Sequence, residues 1–262
     1  MKLISLISLL LLSSTLFASD PIDRAIDELM VLSGVEKQFA DVGSAIVAGM
    51  DQQGGQLPSE VKQQINTLVS QAYDSNTIKS QVRQNLKQAL SIKDIKQLFV
   101  WLKSDIGKKI THQEELASTP QAMAEFATIA AQLKDNPTRS ELLKTLESGI
   151  ELTKSSVDMA MFTSVAVTTG IISAMPAAQR PPENQIQAIL EQMRPQIESA
   201  ITVQMDDLML YTYRNINDAE LKQYIAFNTS PSGKKYNKAI LAGVNSSMND
   251  AALSFGDLLA KQ

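Results

Sequence analysis

Residues 90–110 read LSIKDIKQLFVWLKSDIGKKI, and residues 216–236 read INDAELKQYIAFNTSPSGKKY. Ser91 and Asn217 are good N-cap residues, and each has a carboxylate three places on, Asp94 and Glu220. This is a capping-box pattern: the cap side chain and the carboxylate each satisfy a free backbone N–H at a helix start. In the first stretch Ile95, Leu98, Phe99, Leu102 and Ile106 then recur at helical spacing, which predicts one apolar helix face. Ser104 and Ser230 read as second N-caps, and Pro231 follows the latter at the first helical position, where its missing N–H is no loss. Each stretch is predicted to be a helix, a sharp corner and a second helix. Gly107 and Gly233 fall in the first turn after the corner, where the lack of a Cβ lets the preceding helix come close.

The two stretches align without a gap at an offset of 126. They are identical at six of 21 positions, Lys96/Lys222, Gln97/Gln223, Ser104/Ser230, Gly107/Gly233, Lys108/Lys234 and Lys109/Lys235. Ile95/Leu221 and Trp101/Phe227 keep their chemistry. An earlier pair, LSGVE at 32–36 and ESGIE at 147–151, lies at an offset of 115. The later half is therefore about 11 residues longer between landmarks, and the Pro-rich loop at 176–182 is a natural place for the extra chain. The predicted fold is all-α, a multi-helix bundle of two similar helical halves, 20–135 and 137–262, related by internal duplication. The apolar helices 35–50 and 150–175 are expected to join the halves.

The remaining sequence agrees with helix throughout. Asp20-Pro21, Thr119-Pro120 and Asn136-Pro137 read as helix starts. A break is predicted near Asp74-Ser75-Asn76 and a loop at 51–58, with Gly54, Gly55 and Pro58. Pro195 is expected to kink the helix that begins near Glu183.

The stretch DAELKQYIAFNTSPSGKKYNKAI at 218–240 resembles the bacterial secreted domain of unknown function DUF 2059. That family shows an acidic helix start, Leu-Lys, an apolar stretch with Phe, then Ser-Pro-x-Gly-Lys. The copy at about 216–240 keeps each element, with Asn228 at a place usually aromatic or apolar. The copy at 92–110 departs further, with Asp105 for the Pro and Trp101 for the Phe, so the second copy is the clearer one. The resemblance implies an exported, all-helical protein and implies no activity.

The chain has 262 residues, a formal net charge of −4, no cysteine and one histidine, His112. This excludes disulfides, thiol chemistry, Cys zinc sites and two-His metal sites, and the mild acidity argues against a nucleic-acid partner. Met1-Lys2, the Leu/Ile run from Leu3 to Leu12 and the small-residue approach to Ala18 have the layout of a signal peptide over 1–18. Cleavage near Ala18 would deliver the mature chain to the periplasm or beyond. The apolar run is about half of the ~20 residues a membrane span needs, so it reads as a leader and not an anchor. Thr163, Ser164, Thr168, Thr169, Gly170 and Ser173 thin the other apolar stretch, 159–179, and no integral span is expected in the mature chain.

Candidate chemistry is thin. Ser232 to Lys235 matches Ser-x-x-Lys, a nucleophile pattern, but Ile106 holds the equivalent place of Ser232 in the other copy, so the match reads as coincidence. His112 beside Glu114 and Glu115, the pair Asp206-Asp207 with Glu198, and the group Asp23, Asp27 and Glu28 read as solvated helix faces. The Lys-Lys pairs at 108–109 and 234–235 read the same way. Met159 to Gln179 carries no charge and reads as a central buried helix, with Met159, Met161 and Met175 as adaptable contacts should it line a ligand cavity. No catalytic, cofactor-binding or metal-binding residue is assigned and no cofactor is expected. The leading functional expectation is a non-catalytic periplasmic module that binds an envelope protein. The alternative is a carrier or sensor of an apolar small molecule or lipid held between the halves.

Overall fold

The Asp20 side chain accepts from the Ile22 N–H and Pro21 takes the first helical position, so the first described residues already follow the predicted pattern. The computed structural model describes residues 20–38, 42–44, 46–47, 59–129, 136–173 and 175–261. The elements are α1 (Pro21–Leu32), α2 (Ser59–Ala72), α3 (Ser75–Ala89), α4 (Ile92–Leu102), α5 (Asp105–Ala117), α6 (Pro120–Ile129), α7 (Pro137–Ile150), α8 (Leu152–Ser173), α9 (Glu183–Thr212), α10 (Asp218–Thr229) and α11 (Pro231–Ala260). A helical turn at Val35–Gln38 and a 3-10 turn at Ala177–Gln179 complete the set, and no strand occurs among the described residues. The fold is all-α. The predicted signal peptide over 1–18 and the predicted loop at 51–58 lie outside the described residues.

Capping decides where the helices begin. Asp74 accepts from the Thr77 N–H and opens α3, and Asn136 accepts from Thr138 and Arg139 and opens α7. Ser91 with Asp94 and Asn217 with Glu220 each form the full reciprocal box, at α4 and α10. The α9 helix runs on through Pro195.

Apolar faces gather into two cores. The first contains Ile26 and Leu29 of α1, Val82 and Leu86 of α3, and Ile95 and Leu98 of α4. It is completed from the far end of the chain by Tyr236, Ala239, Met248 and Phe255 of α11. The second contains Leu143 and Leu146 of α7, Met205 and Met209 of α9 and Leu221 of α10, and it is joined by Ile110 of α5. The helix that follows each bend thus leaves its own half: α5 enters the second core and α11 the first. Burial of one large apolar side chain gives about 1.5–3 kcal/mol, so these crossings tie the halves into one packing unit.

The largest joint between the halves among the described residues is α11 against α3 and α2. Of the expected joint, Val42 and Ile46 share the first core with Met159 and Phe162 of α8, and the rest of 39–50 lies outside the described residues. One expectation is corrected here. The uncharged stretch 159–179 is not a fully buried helix. Its described part in α8 packs on α9 and α11, with Met161 and Ser164 buried, Phe162, Val165, Thr168, Thr169 and Ile172 half-buried and Met175 exposed. The partner α9 is itself largely exposed over its first half, so α8 has protein on part of its surface only. No helix among the described residues is long and apolar enough to cross a membrane.

Candidate functional site

The site grows from the two bends. Ser104 Oγ accepts from the Gly107 N–H at 3.0 Å and donates to the Trp101 carbonyl at 2.6 Å. Ser230 Oγ accepts from the Gly233 N–H at 3.1 Å and donates to the Phe227 carbonyl at 2.6 Å. A Cβ on Gly107 or Gly233 would overlap the carbonyl oxygen of Trp101 or Phe227 respectively. The close approach predicted for both glycines is present.

The bends meet each other. Trp101 and Phe227, which hold equivalent places in the two stretches, stack with ring centroids 4.9 Å apart and planes 11° apart. Lys109 pairs with Glu220 at 2.7 Å, and its counterpart Lys235 pairs with Asp94, the counterpart of Glu220, at 3.0 Å. Each capping carboxylate therefore serves its own helix start and a lysine of the other bend. The Ser91 hydroxyl and then the Lys235 ammonium hold the Asp94 carboxyl far below the usual carboxylate range. Lys109 and the Asn217 N–H lower Glu220 in the same direction. All four lysines of the two Lys-Lys pairs are exposed, as the solvated-face reading expects, and Lys109 and Lys235 in addition tie the bends through their ion pairs.

Beside the stacked rings, α5, α9, α10 and α11 line a half-open cavity of about 390 Å³, bordered also by the ends of α4, α7 and α8 and by the turn at Ser33–Val35. Its walls are mostly apolar, with Ile150, Leu208, Met209 and Ile240 among them. Trp101, Tyr224 and Phe227 form an aromatic wall: Tyr224 stacks on Trp101 at 5.8 Å with planes 9° apart, and Tyr213 tilts against Tyr224 at 6.1 Å. Among the described residues, Glu114 of α5 is the lining residue with a carboxyl group, and no Lys, Arg or His lines the cavity. Tyr213 Oη donates to Glu114 Oε1 at 2.6 Å and Tyr224 Oη donates to the same oxygen at 2.8 Å. Among the described residues Oε2 receives no hydrogen bond. Burial pushes the Glu114 carboxyl up, against the two phenols, which lower it. Burial together with the facing carboxylate pushes both phenols well above the usual tyrosine range.

The placement of Tyr213 has a visible cause. Arg139 of α7 donates to Asp218 Oδ1 at 2.7 Å, to the Ile216 carbonyl at 2.8 Å and to the Tyr213 carbonyl. One guanidinium fixes the chain between α9 and α10, and so the phenol that holds Glu114.

The residues singled out from the sequence fall elsewhere. Ser232 is buried, donates to Asp94 Oδ1 at 2.9 Å and meets the Gln97 side-chain amide, while the Lys235 ammonium sits on Asp94. The pair braces the bends together. His112 is exposed. Asp23 and Asp27 bind Arg83 of α3, Asp23 also binds Lys87, and Glu28 binds Lys103, so this acidic face of α1 clamps α3 and the end of α4. Asp206 faces Lys144 at 3.8 Å, both exposed. Among the described residues no group of three or more potential metal-ligating side chains comes together. Of the three methionines, Met161 is buried on α8 and Met175 exposed, and none of them lines the cavity. Sequence reasoning missed Glu114, Tyr213 and Tyr224 as a group. A signal was present: Ile110, Glu114 and Ala117 share one face of α5, so a carboxylate lies on a helix face that is otherwise turned inward.

Residues 76–134 match the family model described as an uncharacterized protein conserved in bacteria, DUF2059. The match covers the first bend and carries Trp101 and Glu114. It lies on the stretch that seemed the more divergent copy, whereas 216–240 is outside it. The similarity extends to one copy. The earlier pair of landmarks also differs in geometry: Gly34 itself is left-handed at φ 73°, whereas in the later pair Glu151, at the end of α7, is left-handed at φ 52°. No curated protein and no solved structure matches the chain.

Proposed function

We propose that this is an exported, non-enzymatic carrier or sensor that holds a small, largely apolar molecule between its two halves. The cavity of about 390 Å³ between the bends carries the reading. It has the size and the mostly apolar lining of a small-molecule site, with polar groups, Glu114 among them, to orient the occupant. Export is inferred from the leader-like layout of residues 1–18 and places the protein in the periplasm. The absence of catalysis is inferred from Ser232 and Lys235, both of which are tied to Asp94. Internal duplication is part of the proposal, with two copies of one bend related by a local twofold axis near the Trp101–Phe227 stack. The paired ties Lys109–Glu220 and Lys235–Asp94 support it.

Ser155 of α8 lines the cavity, and a Trp there would fill it. Native mass spectrometry of protein purified gently from the cell envelope is expected to show a bound small molecule. Ser155→Trp is expected to lose it and to weaken binding of the fluorescent probe N-phenyl-1-naphthylamine at least tenfold, with helix content unchanged by circular dichroism. Absence of any bound mass, together with equal probe binding by both proteins, would refute the reading.

A second reading, a protein-binding module, is favoured by the α8–α9 hairpin. Ile189 and Val203 of α9 are exposed apolar side chains, Val203 at 74%. Crosslinking from position 203 in cell envelopes is the matching test, and a single dominant partner would support it.

A further inference from the structure

We infer that the occupant of the cavity is an organic cation, an amphiphile whose protonated amine meets Glu114 Oε2 while its apolar body lies along α9 and α11. This rests on the proposal that the cavity is a ligand site, and it specifies the chemistry of that ligand.

The geometry leaves a polar vacancy of defined character at Glu114 Oε2. Both phenols donate to Oε1, each using its single O–H hydrogen, and they turn the other carboxyl oxygen loose. A carboxylate accepts hydrogen bonds and carries a negative charge, and the lining holds no Lys, Arg or His to balance it. Elsewhere in this molecule, capping carboxylates that face inward have a cation: Asp94 has Lys235 and Glu220 has Lys109. Glu114 has none among the described residues. Glu114 is half-buried, and a carboxylate partly withdrawn from water without a counter-charge is a favourable place for a ligand that supplies one. The neighbouring rings suit the same partner. Trp101, Tyr224 and Phe227 present electron-rich surface, which favours a positive head group over a negative one. Leu208, Met209 and Ile240 continue the cavity as apolar wall and suit a hydrocarbon body. A neutral alcohol would find the apolar wall and a weaker bond at Oε2. A carboxylate ligand would find the wall and a repulsive head.

Octylamine, octanol and octanoate share one chain and differ in head group, so they separate the two levels of the argument. Binding of each to the mature chain is measured at pH 7 by titration calorimetry or by displacement of N-phenyl-1-naphthylamine. The expected result is that octylamine binds at least tenfold tighter than either of the others. In Glu114→Gln, whose amide oxygen still accepts from both tyrosines, the amine should lose its advantage over octanol. If octanol or octanoate binds as tightly as octylamine, the cation inference is wrong and the cavity reading stands. If the preference for amine survives Glu114→Gln, it reflects attraction to the acidic surface and the inference is again wrong. If none of the three binds, the cavity reading falls and takes the inference with it.

Discussion

Gly107 and Gly233 are the residues on which the bends turn, because any Cβ there meets a backbone carbonyl that has nowhere to move. Gly107→Ala and Gly233→Ala are each expected to destabilise the protein by about 2–4 kcal/mol. Gly256→Ala is the control. It lies within α11 with no atom near its Cβ position, and should stabilise by up to about 1 kcal/mol through helix propensity. Urea unfolding of the three variants checks this. Charged residues give predictions of opposite sign. Asp94 is held low by Ser91 and Lys235, and Glu220 by Lys109. Their folded pKa lies below the unfolded value, so their stabilisation is complete above the unfolded value and is lost as pH falls through the folded one. Stability should therefore drop below about pH 4, and Asp94→Asn should lower stability at pH 7 and flatten that acid limb. Glu114 is raised by burial, so it costs stability as pH rises through its unfolded value and on to its folded one. Glu114→Gln should gain on the wild type as pH rises above the ordinary carboxylate range, about pH 4, in the same assay. The glycines and the caps were legible in sequence. The fate of Glu114 was not, because charge patterning shows that a carboxylate lies on a helix face but not which tyrosines, 99 and 110 residues away, will meet it.

At the scale of elements, helix starts are local chemistry. The Ser91 side chain accepts from the Asp94 N–H at 3.2 Å and donates to Asp94 Oδ2 at 2.6 Å, and the Asn217 side chain accepts from the Glu220 N–H at 3.0 Å. Asn217→Ala is expected to cost about 1 kcal/mol. Ser91→Ala should cost more, up to about 2 kcal/mol, because it also frees the carboxylate that Lys235 and Ser232 hold. Thermal unfolding of the two variants ranks them. The α8 helix shows where element-level reading stops. Its lack of charge predicts burial, but composition cannot say how many neighbours will cover a helix, and here α9 and α11 cover only part of it.

At the scale of the whole molecule, the crossing of α5 and α11 makes the halves interdependent. Phe255 of α11 is fully buried in the core built by α1, α3 and α4. Phe255→Ala is expected to cost about 3–5 kcal/mol and to unfold the chain in a single transition, with hydrogen exchange accelerating in α3 as well as in α11. Separate unfolding of the N-terminal and C-terminal halves would contradict this. The sequence by itself determined the helical class, most helix starts, the two corners and their glycines, because caps, periodicity and a missing Cβ act within a few residues of one another. Only the tertiary structure decided which half each post-corner helix enters, that lysine and carboxylate pair across the bends, and that a cavity with an unbalanced carboxyl group lies between them. Those outcomes depend on contacts between residues separated by a hundred or more positions, and they follow from which apolar faces find enough surface to bury.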